Sequence, residues 1–267
     1  MKIVLILSVV ILFYSCKENH NPEESDSHTV ETHQESTSHN LIEANSYQHP
    51  DGTICHAQSP INILSFSNNS KGMHNITFNF KDEINAIENL GHTIQLDFKK
   101  GSTVTVDDEV FQFKQLHFHT PSEHLLDGVR YPMEMHMVNT LQGQKEGETP
   151  QFLVISILFK MGKESMFIDE FINTIPNTIP NADDTKEIET GKVLIKDLIS
   201  EKPEEILDSY YHYIGSLTTP PYTESVRWYV SKHIFEASPD QIKKILDIEG
   251  ENARQVQSLN DRELESN

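Results

Sequence analysis

Two segments of this 267-residue chain alternate with a period of two, and that pattern constrains the fold more than any other feature. The first is Gln115-Leu116-His117-Phe118-His119. The second is Met133-Glu134-Met135-His136-Met137-Val138. Successive side chains of an extended strand point to opposite faces. Gln115, His117 and His119 therefore share one face, with Leu116 and Phe118 on the other. Glu134, His136 and Val138 likewise share a face, with Met133, Met135 and Met137 behind them. Such strands demand a sheet with its core on one side and polar chemistry on the other. If the two polar faces lie together, three imidazoles converge.

The rest of the chain agrees with a sheet. Stretches rich in β-branched and aromatic residues recur at 75–80, 93–98, 103–106, 110–120, 133–139, 152–160 and 225–231. Helical signals are fewer. Ser238-Pro239 gives an N-cap and a first-turn proline ahead of 240–248, and 166–175 has apolar residues at helical spacing. From 46 to 267 there is no break in composition and no internal repeat. The expectation is a β-dominated α+β single domain, a large twisted and mainly antiparallel sheet with short peripheral helices.

The N-terminus reads as an address. Lys2 precedes an apolar run from Ile3 to Tyr14, too short to span a bilayer as a helix but suited to a signal-peptide core. It ends at Ser15-Cys16, which looks like a bacterial lipoprotein signal with Cys16 as the lipidated residue. An ordinary signal peptide or an uncleaved anchor is the alternative. Either way the expectation is export, to the periplasm or outer membrane, with residues 1–15 as the signal. Residues 16–45 are polar and acidic and read as a disordered tether. Its histidines, His20, His28, His33 and His39, suit a solvated linker better than loose metal capture. With 41 acidic against 21 basic residues the formal charge is −20, which argues against nucleic acid and against an anionic membrane surface as direct partners. Membrane contact is expected only through the lipid anchor. The 2 cysteines, Cys16 and Cys55, are too few to build a disulfide scaffold.

Three neutral imidazoles make a tetrahedral zinc site with one open position, the arrangement catalytic zinc requires. Each ligand needs an acceptor on its other ring nitrogen. Gln115 and Glu134 each lie two residues before a histidine on the same face and suit that role. A lone His-x-His on a strand is ordinary; His136 with its flanking Glu134 makes the pattern informative.

Several further motifs occur in order. They are Gln58-Ser59-Pro60-Ile61-Asn62-Ile63, Gly91-His92, Gln115 to His119, Ser122-Glu123-His124, Glu134 to His136, and Gly215-Ser216-Leu217-Thr218-Thr219-Pro220-Pro221. Asn252-x-Arg254-x-x-Gln257-x-Leu259-Asn260-x-Arg262 closes the series. Together they closely resemble the α-class carbonic anhydrases over roughly residues 55–263. The resemblance implies that fold and a zinc lyase interconverting carbon dioxide and bicarbonate. It implies His117, His119 and His136 as zinc ligands, with Gln115 and Glu134 orienting two of them. It implies a zinc-bound hydroxide as nucleophile, aimed by Thr218, whose own proton goes to Glu123. His92 matches the proton shuttle, and Val138, Val154, Leu217 and Trp228 match the apolar carbon dioxide pocket. A non-catalytic binding module and a zinc esterase are the alternatives on the same scaffold. His124 reads as structural rather than as a ligand.

Three departures from the family stand out. Only residues 46–57 lie between tether and Gln-Ser-Pro motif, with Tyr47 the sole aromatic there, where relatives carry tryptophans and a tyrosine. Secreted relatives often pair a cysteine near Cys55 with one just after the Pro-Pro, where this chain has Tyr222 and Thr223. Leu90 precedes Gly91 where relatives often carry a polar residue. None of these touches the ligand set.

Overall fold

The two histidine strands lie side by side at the middle of a twelve-stranded sheet. The computed structural model describes residues 47–48, 54–66, 69–81, 84–176, 186–187, 193, 195, 198 and 209–267. The segments expected to be signal peptide and tether, with Cys16 and the four histidines between 17 and 45, and residues 46 and 49–53 lie outside the described residues. In chain order the sheet strands are β1 (Ile76–Asn79), β2 (Ile84–Asn89), β3 (Ile94–Phe98), β4 (Thr103–Val106), β5 (Glu109–His119), β6 (Met133–Leu141) and β7 (Phe152–Met161). They continue with β8 (Lys186–Glu187), β9 (Tyr210–Gly215), β10 (Val226–Ser231), β11 (Phe235–Ala237) and β12 (Glu265–Ser266). Helices with both ends among the described residues are α1 (Met166–Asp169) and α2 (Pro239–Glu249).

Across the sheet the order is β8-β2-β3-β5-β6-β7-β10-β9-β12, with β4 and β1 continuing from one end of β5 and β11 pairing the far end of β7. Most pairs are antiparallel, as expected. The exceptions are β7 with β10 and with β11, both parallel. That explains a local anomaly in the sequence. β7 does not alternate; Leu153 to Phe159 are all buried, because a central strand flanked on both faces needs apolar side chains throughout.

The sheet separates two hydrophobic clusters. The larger takes Leu116 and Phe118 from β5, Met133, Met135 and Met137 from β6, and Phe167, Phe171 and Ile175 from the segment of α1. Full burial of a side chain of this kind contributes about 1.5–3 kcal/mol. The smaller cluster holds Ile61, Ile63, Val154, Tyr213, Val226 and Trp228, on the other side of the sheet. A one-residue slip of β5 against β6 would send the histidines into the larger core, so the apolar faces fix the register.

The helical expectation at 166–175 is shortened. α1 ends at Asp169, yet Phe171, Ile172 and Ile175 stay buried. Thr174 turns both its N–H and its hydroxyl onto the Phe171 carbonyl, at 2.8 and 2.7 Å, tightening the chain into turns. Pro176 then disfavours helix in the preceding residue. α2 forms as expected: Ser238 and Gln241 make a reciprocal capping box and Pro239 occupies the first turn.

Candidate metal centre

The register of β5 against β6 opposes His117 to His136, His119 to Glu134, and Gln115 to Val138. The three rings of His117, His119 and His136 converge, each offering a ligand atom within 4.8 Å of the others. Their orientation is fixed from behind. The Gln115 Oε1 lies 2.9 Å from His117 Nδ1, and Glu134 Oε1 lies 2.7 Å from His136 Nε2. His117 is thereby left with Nε2, and His136 with Nδ1, for whatever lies between them.

His119 is different. Neither of its buried ring nitrogens meets a partner at full hydrogen-bond geometry among the described residues, although Asn252 lies alongside, and the same holds for Glu123 Oε2 beside Thr218. Glu123 Oε2 lies 3.6 Å from His119 Nε2 and 4.0 Å from His136 Nδ1. Buried nitrogens short of a full hydrogen bond are costly unless something absent from the polypeptide satisfies them. Burial pushes the His119 imidazole down to about 4, against the opposing pulls of Glu134 and Asn252. Burial lowers His117 and His136 too, with the neighbouring imidazoles adding to the effect. All three are therefore neutral at physiological pH, the form in which imidazole binds a metal. Three neutral nitrogen donors with their outer hydrogen bonds in place suit a zinc ion, with one position left open.

Glu134 is the organiser of this wall. Its Oε2 accepts the backbone N–H groups of Glu123 and His124, both at 2.8 Å. Its Oε1 meets His124 Nδ1 at 2.7 Å and the Ser156 hydroxyl at 2.6 Å, besides His136. Burial alone would raise its pKa, but His124 and His136 outweigh that and hold it well below the usual carboxylate range. His124 passes the network on to the Tyr213 hydroxyl at 2.7 Å, which donates to Ser59 Oγ at 3.0 Å. His124 is thus a fully buried structural residue, as read from sequence. Gly215 keeps this route open, since a Cβ there would come within 2.1 Å of Ser59 Oγ.

Glu123 is fully buried, and burial raises its pKa, against lowering contacts that include the Arg254 N–H and the Thr218 side chain. The Arg254 N–H reaches Glu123 Oε1 at 2.9 Å. The four apolar positions share one region. Val138, Val154 and Trp228 form a single cross-strand row, Val138 opposite Val154 and Val154 opposite Trp228, next to the row of His117, His136 and Ser156. Leu217 packs on the same smaller cluster. His92 is exposed in the turn before β3, its Nδ1 3.0 Å from the Leu90 carbonyl. It lies close enough for its charge to weigh on His117.

Two residues of this site escaped the sequence reading. Ser156 is the single polar residue within the apolar run of β7, which was the signal available. Asn252 stood in the last motif without a role. Its side chain donates to the backbone carbonyls of His92 and Phe118, at 2.8 and 3.2 Å, and accepts the Thr120 N–H at 3.1 Å. It thus ties the His92 turn to the strand that carries His119.

Residues 44–267 match the family described as eukaryotic-type carbonic anhydrase. A carbonic anhydrase of Neisseria gonorrhoeae is 34% identical over 209 residues, covering 77% of this chain and 75% of that protein. One from Pectobacterium carotovorum is 34% identical over 218 residues, covering 80% and 82%. Among solved structures, the α-carbonic anhydrase of Thermovibrio ammonificans in complex with sulfanilamide superposes with a TM-score of 0.68 at 32% identity, covering 78% of this chain and 86% of that one.

Proposed function

The chain belongs to the eukaryotic-type, or α, carbonic anhydrase family, enzymes of carbon dioxide hydration, and we propose that it works through zinc held by His117, His119 and His136. The observation that carries this reading is the buried trio of converging imidazoles, two with fixed outer nitrogens and one whose nitrogens make no full hydrogen bond among the described residues. A zinc ion there would supply Lewis acidity, making water a nucleophile at neutral pH.

The remaining steps belong to the polypeptide. Gln115 and Glu134 hold two ligand rings in a single tautomer and orientation. Glu123, once ionised by a nearby cation, can only accept hydrogen bonds. The Thr218 hydroxyl must then donate to it and turn a lone pair toward the reacting oxygen, which aims the attack. Val138, Val154, Leu217 and Trp228 offer an apolar wall that suits carbon dioxide and excludes ordered water. His92, on an exposed turn, takes the proton released in each cycle and passes it to buffer. For location we propose export, with Cys16 lipidated and the domain tethered in the periplasm or at the outer membrane.

The test compares wild type with His136→Ala and His92→Ala. His136→Ala should lose bound zinc and hydration together; full activity with metal retained would reject the ligand set. His92→Ala should keep its zinc and lose at least about tenfold in kcat in weak buffer, restored by added imidazole. An unchanged rate would assign proton transfer to another group.

A further inference from the structure

A second constellation of metal-binding side chains lies on the other side of the sheet from the trio. His74, His212 and Glu265 each offer a ligand atom within 4.8 Å of the others. Along β9, Tyr211 and Tyr213 join the smaller cluster that holds Trp228, and Tyr210 joins the larger core. Alternation places His212 with Tyr210, away from the catalytic face. Glu265 on β12 is its direct partner in the antiparallel ladder, so the two side chains project together. The ring of His74 stands edge-on to that of His212, centroids 4.8 Å apart.

The surroundings are those of a metal site. His74 Nδ1 meets Asp107 Oδ2 at 2.5 Å, a carboxylate on its outer nitrogen. His212 Nδ1 meets the Trp228 carbonyl at 2.8 Å. Both outer nitrogens therefore have acceptors, and both Nε2 atoms are left to Glu265; this is the outer arrangement that metal-bound histidines show. His74 Nε2 is already 2.8 Å from Glu265 Oε2. Ligand atoms around a tetrahedral zinc stand roughly 3.3 Å apart, so a small opening suffices.

Further contacts hold the frame. The His74 N–H donates to the Tyr210 hydroxyl at 2.8 Å, and the Asn75 N–H to Asp107 Oδ1 at 2.9 Å. His212 stacks on Tyr229 at 4.3 Å between centroids. Gly72 packs so tightly on Glu265 that a Cβ would lie 2.2 Å from its Oε2.

We propose that His74, His212 and Glu265 form a second, non-catalytic site for a divalent first-row cation, zinc above all, with Asp107 orienting His74. Two imidazoles and one carboxylate suit zinc, copper or nickel rather than calcium or magnesium. The ion would replace the proton shared between His74 and Glu265, releasing it to solvent. It would staple the C-terminal strand β12 to β9 and to the loop that carries His74. This role is independent of carbon dioxide hydration.

The test titrates zinc chloride into the dialysed, full-length holoenzyme by calorimetry, beside Glu265→Gln, His74→Gln and Asp107→Asn. Zinc taken up by the tether histidines is common to all four proteins and cancels. Wild type should bind one more equivalent than Glu265→Gln or His74→Gln, with about 10–100-fold weaker binding in Asp107→Asn. Its Tm should rise more with zinc than that of either ligand variant. Hydration rates, which this site does not serve, report whether each variant is folded. Equal stoichiometry, affinity and zinc-induced Tm shift in folded wild type and Glu265→Gln would overturn the proposal. Because the readout is metal uptake outside the trio, a wild type without hydration activity would leave this comparison intact.

Discussion

At the scale of single residues, the site is made by carboxyl groups whose surroundings set their charge. Glu134 collects five donors and is ionised although fully buried. Glu249 is the opposite case. It is 4% exposed at the end of α2, and burial pushes it up to about 8. Its partners can serve a neutral acid. Thr120 Oγ1 lies 2.9 Å from both Glu249 Oε1 and the Gly250 carbonyl. The Thr120 hydroxyl can give its proton to Gly250 and accept one from protonated Glu249, while the other carboxyl oxygen takes the Ile94 N–H at 3.3 Å. A carboxyl raised on folding favours the native state fully below its unfolded pKa, and loses that contribution as pH rises. The window runs from the reference value of 4.5 to about 8. Glu249→Gln mimics the neutral form at every pH. Relative to wild type it should gain about 1.4 kcal/mol per pH unit across the window and level off above it. Urea midpoints of the two proteins at pH 5.5, 7 and 8.5 check this; parallel profiles would show that Glu249 is ionised throughout. None of this was legible in the sequence, because nothing local marks Glu249 as buried. The histidine pairs were legible, because a period of two states which side chains share a face.

At the scale of elements, alternating strands were legible, and so was the doubly buried β7 from its unbroken apolar run, but β9 and β2 were not. In β9, Tyr210, Tyr211, His212 and Tyr213 are all buried, so no polar-apolar rhythm announces it. β2, Ile-Asn-Ala-Ile-Glu-Asn, lacks the β-branched run that marked its neighbours. The partners of the connection between Gly215 and Val226 were not legible, since they are distant in sequence. There, where relatives often carry a disulfide to the Cys55 region, this chain uses hydrogen bonds. Glu224 Oε1 accepts the Ala57 N–H at 2.6 Å and the Gln58 side-chain amide at 3.0 Å. Gln58 also donates to the Tyr222 carbonyl at 3.1 Å. The Arg254 guanidinium lies 3.8 Å over the Tyr222 ring and reaches Gln58 Oε1 at 2.9 Å. This clamp supports the loop that bears Thr218. Glu224→Ala strands two donors and should cost about 1–3 kcal/mol, read as a lower urea midpoint, with reduced hydration from a loosened Thr218. An unchanged midpoint would mean that packing alone holds the loop.

At the scale of the whole molecule, one sheet supports two independent faces. The apolar sides of β5 and β6 are buried in the larger cluster and fix the register that brings His117, His119 and His136 together. The short polar hydrogen-bonded route from His136 through Glu134, His124 and Tyr213 to Ser59 locks that face to the Gln-Ser-Pro segment. The family's fold class and reaction were legible from the order of motifs. Such long-range networks depend on which distant residues the topology makes adjacent, and were not. The central claim is that this trio, loaded with zinc, hydrates carbon dioxide. Stopped-flow hydration by the full-length protein tests it most directly, measured as purified, after zinc removal and after zinc is restored, with and without a sulfonamide. The account predicts fast, sulfonamide-sensitive turnover that disappears with the metal and returns with it. Turnover no faster than the uncatalysed reaction, with zinc bound at His117, His119 and His136, would contradict it.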